Sequence, residues 1–154
     1  MATEHIGFAT APRGRDKLYP YQINTAGMKE GAFVVFDSTA AASMVKAPAG
    51  AAPKGVAGLI ADVQNVTTGT VVGTDVNLQR DGIGLALLGA GLSVTEGQAL
   101  VVAGTDGSVR AFVGGGTDND CDIVGYAEET KTAGAVAETL KIRVAITYYN
   151  KGAA

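Results

Sequence analysis

Tryptophan is absent from this chain of 154 residues, and cysteine and histidine occur once each. A single cysteine excludes an intramolecular disulfide. A single imidazole, His5, cannot build a histidine-based metal cluster, and it lies near the N-terminus with no apolar pattern to hold it beside a nucleophile. Charged residues make up only 18% and the net charge is −3, so no basic excess points to nucleic acid. No run of 18 apolar residues occurs, which predicts no membrane-crossing helix. The opening MATEHIGFATAPRGRDK has no apolar core of signal-peptide length, so synthesis in a cytoplasm without Sec export is expected.

What is abundant is small or β-branched. Alanine occurs 26 times, glycine 22, valine 17 and threonine 15, against nine leucines. Valine over leucine favours strands over helices, and glycine at twice ordinary usage implies many turns. Only Ala40–Lys46 and Glu128–Val136 could be helical, and glycine or weak periodicity argues against both.

The chain contains one pattern twice. MKEGAFVVFDSTAAASMVKAPAGAAPKGVAGLIADV, starting at Met28, is echoed by VTEGQALVVAGTDGSVRAFVGGGTDNDCDIVGYAEET, starting at Val94. Glu30-Gly31 aligns with Glu96-Gly97, Val34-Val35 with Leu100-Val101, and Gly58-Leu59-Ile60 with Gly125-Tyr126-Ala127. Farther on, Val76 and Leu78 align with Leu140 and Ile142. A duplication of this span constrains the fold more than any single motif.

Each copy reads as short strands. Candidates in the first are Tyr21–Thr25, Ala32–Phe36, Ser43–Lys46, Gly55–Val63, Asp75–Arg80 and Ile83–Leu88. The second offers Ala99–Val102, Ser108–Val113, Ile123–Ala127 and Leu140–Tyr149. Pro48 to Pro53 must be a loop, because proline cannot donate to a ladder, and Asp106-Gly107 is a strong hairpin turn. Leu140, Ile142, Val144 and Ile146 alternate with polar residues, the mark of a strand with one wet face. The expected fold is all-β: a compact sandwich or barrel of about eight short strands from two pseudo-symmetric repeats, about 28–88 and 94–149, in one β domain over 21–154. Residues 1–20 stand apart as an extended N-terminal arm, with Arg13, Arg15 and Lys17 as its charges and Ile6, Phe8, Leu18 and Tyr19 as apolar anchors.

A search for chemistry finds little. Cys121 lies between Asp120 and Asp122, an acidic setting opposite to the one that activates a nucleophilic thiol. Asp118, Asp120, Asp122 and Glu129 have the spacing of a calcium loop, but Ile123 stands where that loop needs glycine. Val45-Lys46-Ala47 lacks the tight hairpin on which lipoyl and biotinyl domains present their lysine. Gly89-Ala-Gly91 and Gly114-Gly-Gly116 precede no helix that could hold a phosphate. No cofactor, metal or catalytic set is assigned, and the chain is expected not to be an enzyme.

The doubled pattern resembles the capsid decoration (cement) proteins of tailed bacteriophages. Glu30-Gly31 with Phe33–Phe36 and then Gly55-Val56-Ala57-Gly58 carry the likeness in the first copy. Glu96-Gly97 with Leu100–Val102 and then Ile123–Ala127 carry it in the second. The resemblance implies a structural virion protein, a homotrimer on the outer surface of an expanded head, that stabilises contacts between major capsid proteins. It implies capsid contact through the arm, hence through Ile6, Phe8, Arg13, Arg15, Lys17, Leu18 and Tyr19. Segments where the two copies differ, Asp37–Ala42, Pro48–Pro53 and Gly114–Asp122, are further contact candidates. The alternatives are another virion module, a tail tube or spike, or a carbohydrate-binding β domain using Tyr126, Tyr148 or Tyr149. Neither nucleic acid nor membrane is an expected partner.

Overall fold

The computed structural model describes residues 18–39, 44–63, 65 and 67–146. Its described residues form twelve strands and one short 3-10 turn, with no α-helix. The all-β expectation holds, but the count and closure differ from one eight-stranded body: each copy closes into its own five-stranded barrel.

The first barrel contains β1 (Tyr19–Ile23), β2 (Phe33–Phe36), β3 (Met44–Lys46), β4 (Val56–Asp62) and β5 (Asp75–Gln79), in spatial order β1-β3-β2-β4-β5. β5 pairs back onto β1 and closes the ring. The second contains β6 (Asp81–Leu88), β8 (Ala99–Val102), β9 (Val109–Ala111), β10 (Gly125–Ala127) and β12 (Glu138–Ala145). Two short strands, β7 (Ser93–Val94) and β11 (Lys131–Thr132), form a ribbon of their own.

Pairing makes the duplication concrete. Val34 faces Gly58 across β2 and β4, and Leu100 faces Gly125 across β8 and β10. Ile60 faces Leu78, and Ala127 faces Ile142. Each barrel also has one parallel pair, Ile23 with Val45 and Leu88 with Val109. By that pairing β6 occupies in the second barrel the place that β1 holds in the first. Asp81–Leu88 therefore opens the second unit and does not end the first, and Arg80 alone joins the two.

The barrels do not stand apart. One cluster fills the second barrel and also takes in Phe33, Val35, Val56 and Leu59 from β2 and β4. The other cluster fills the first barrel with Ile23, Val34, Val45, Ala57, Ile60, Val76 and Leu78. Strands β2 and β4 are thus buried on both faces, which is why FVVF and VAGLIA read as unbroken apolar runs. β12 has one wet face and alternates instead, Leu140, Ile142 and Val144 inward, Lys141 and Arg143 outward.

Backbone bonds seal the junction. Phe33 N–H donates to Gly107 O at 2.8 Å, Leu87 N–H to Gly31 O at 3.0 Å, and Ala52 N–H to Val102 O at 2.9 Å. Gly107 has φ +73°, and a Cβ there would run into the Phe33 carbonyl. The hairpin expected at Asp106-Gly107 is present, and its glycine also allows the other barrel to approach.

Candidate interaction surfaces

Buried carboxylates are the first place to look for a reactive centre, and three of them prove to be structural. Asp118 receives a two-pronged bond from Arg110, 2.6 and 2.7 Å, and a third from Val113 N–H at 2.7 Å. The Arg110 hydrogen bonds hold the Asp118 carboxyl below the usual carboxylate range against the opposing pull of burial, and the same contact raises the guanidinium. The pair pins the glycine-rich loop after β9.

Asp122 closes the 3-10 turn Asp120–Asp122 by accepting from Asn119 N–H, and it meets the Lys54 ammonium from the other barrel. Burial pushes its carboxyl up, but Lys54 and Asn119 together bring it below the ordinary value. The Asp122 hydrogen bond likewise raises Lys54. Lys54 Nζ also lies 3.7 Å from Cys121 Sγ, so the exposed thiol has a cation beside it that its sequence neighbours do not reveal. Asp37 accepts from Asn24 Nδ2 at 2.9 Å and from the N–H and hydroxyl of Thr39, with Lys46 at 3.4 Å, and these keep it strongly acidic.

The calcium-like spacing is consequently spent elsewhere: Asp118 turns to Arg110 and Asp122 to Lys54. Among the described residues no three His, Cys, Asp or Glu side chains gather to hold a metal. The loops around Pro53 and Asn119, both contact candidates because the copies differ there, are tied to each other through Lys54 and Asp122.

Of the arm residues, Ile6, Phe8, Arg13, Arg15 and Lys17 lie outside the described residues. Leu18 is half-buried, and Tyr19 belongs to β1 and not to an arm. The Arg80 guanidinium stands 4.3 Å from the Tyr19 ring centroid, 5.3 Å from Tyr21 and 5.7 Å from Phe36. Its Nε donates to Ala57 O at 2.8 Å and its Nη2 to the Tyr21 hydroxyl at 2.7 Å. The residue joining the barrels is therefore clamped by three rings and a carbonyl.

Several exposed apolar side chains are ones that sequence reasoning passed over. Val71 and Val72 sit at the loop before β5, and Val136 at the loop before β12. Both loops are anchored alike, Thr70 N–H to Met28 O and Ala133 N–H to Leu92 O. A valine displayed at the same place in both barrels is a signal that the alignment contained. Leu85, Val113 and Tyr126 are exposed as well. Tyr148 and Tyr149 lie outside the described residues.

No known protein family matches the chain, and no curated protein does. Among solved structures, the chain is similar to the N base of the head fiber gp8.5 in bacteriophage phi29. The TM-score is 0.51 and the identity 17%, over 84% of this chain and 93% of that one. At that identity the likeness is one of fold, and it extends across both barrels.

Proposed function

We propose that this chain is a structural protein of a phage virion that binds the outer surface of an expanded head and stabilises contacts between major capsid proteins. The observation that carries the reading is the shared fold with a head-fiber base over nearly that base's whole length. The state of its polar groups supports it: among the described residues, the buried carboxylates are engaged in holding loops. We read the chain as non-enzymatic and as a homotrimer. Equivalent weak contacts repeated by symmetry suit a surface that offers scattered valines.

The test is direct. Purified protein is mixed with expanded heads, and the particles are imaged. Added density at local three-fold or quasi-three-fold positions is the expected result, and bare heads would overturn the proposal. The solution mass separates the readings within the virion, because a trimer fits head decoration and a hexameric ring fits a tail tube.

A further inference from the structure

The first barrel carries an open groove of about 470 Å³ at the Gln22 end of β1, lined by Gln22, Asp62, Val63, Gly73, Thr74 and Asp75. It forms because β4 and β5 slip register between Ile60 and Asp62 and then part. Asp75 continues to pair with Gln22 of β1 beyond the last residue that β4 matches. Both groove carboxylates are exposed. Asn77 Nδ2 steadies Asp62 at the lip, 3.2 and 3.3 Å from its two oxygens. No lysine or arginine is among the lining residues.

The occupant that fits is in the chain itself. Described residues begin at Leu18, and the preceding segment reads Arg13-Gly-Arg15-Asp-Lys17. In an extended backbone alternate side chains share a face, so an extended arm would put Arg13, Arg15 and Lys17 on one side and Asp16 on the other. Such a face would carry three cations with about 7 Å between neighbours. Reach is sufficient. Tyr19 to Gln22 covers about 10 Å along β1, while the six residues from Tyr19 back to Arg13 span up to about 20 Å. β1 is paired on both edges, by β3 and β5, so a returning segment would cross its outer face and would not add a strand.

We propose that this groove seats the chain's own Arg13–Lys17 segment through ion pairs to Asp62 and Asp75. Docked there, the arm's cationic face is withheld from other surfaces until salt or a more acidic partner displaces it. The docking itself does not depend on the virion reading; only its consequence for head binding does.

Arg13, Arg15 and Lys17 are the arm's own trypsin sites, so cleavage reads the docking without any head present. In low salt the full-length protein should be cut slowly at these positions. Asp62→Asn/Asp75→Asn should be cut about fivefold faster, the scale of two weak surface pairs lost together. Asp75→Asn alone, which leaves the Asp62–Asn77 contact in place, should fall between. At high salt, with rates normalised to a free peptide substrate, wild type should match the double variant. Thermal melts confirm that the variants are folded. Equal rates for wild type and both variants in low salt would overturn the proposal. Protection that disappears on dilution at constant salt would place the arm on a neighbouring copy and overturn the intramolecular assignment.

Discussion

Gly107 carries two separable constraints, a left-handed backbone and the Phe33 carbonyl of the other barrel against its missing Cβ. Gly97 has only the first, with φ +84° and nothing within 4 Å of a built Cβ. Gly97→Ala should cost about 1–2 kcal/mol, the penalty of the left-handed region. Gly107→Ala should cost more, because Phe33 must also retreat; denaturant melts of the two variants measure the difference. Asp118 gives a pH prediction. Its folded-state carboxyl is depressed, so its contribution is present above the unfolded value of about 3.9 and is lost as pH falls through the folded one. Asp118→Asn should lower stability at pH 7 by about 3 kcal/mol, the low end for breaking a buried pair, since Arg110 is partly exposed. It should also flatten the acid limb of a stability profile below pH 4. An acid limb unchanged in the variant would show that other carboxylates set it.

At the scale of elements, burial on one face or two decides what a strand tolerates. Phe33 is wholly buried in a strand with no wet face, and Phe33→Ala should cost about 3–5 kcal/mol by chemical denaturation. Lys141→Ala, on the outer face of β12, should stay within about 0.5 kcal/mol. These elements were legible in the sequence because their patterns follow directly from which faces are covered. The junction was not. Asp81-Gly82 reads as a turn or a bulge, yet Gly82, with φ +77°, lies inside β6 and pairs in register with Val144 of β12. Closure was hidden too, since parallel pairing of β1 with β3 is a matter of which strands meet and leaves no local trace. The contacts that pin the loops were beyond reach for the same reason: Lys54 and Asp122 are 68 positions apart. Arg80 and Tyr21 are 59 apart.

For the whole molecule, the two units share one of their two apolar clusters, so the second barrel loses part of its core if the first opens, and opening of the second bares Phe33, Val35, Val56 and Leu59 of the first. A single transition, coincident by near- and far-ultraviolet signals, is the expected unfolding behaviour. The arm is a different matter, because β1 begins at Tyr19 and the strands that close both barrels all lie after residue 18. Removing residues 1–17 should leave the melting temperature within a few degrees and weaken head binding; equally tight binding by the truncated protein would remove the arm from the proposed capsid contact. A deletion extended to residue 20 is a poorer experiment, since it would also take Tyr19 from under Arg80 and two residues from β1.

The position of β1 between two partners has a mechanical side. A pull on the arm along the strand axis is carried in shear by the ladders to β3 and β5 together, so the bonds share the load instead of opening one after another. β5 ends beside the start of β1, so Arg80, the single residue that leads into the second barrel, stands next to Tyr19 at the loaded end. If the proposed head contact runs through the arm, a tether at Tyr19 would load both ladders of β1 at once, and tension would reach the second barrel through Arg80 without crossing the first.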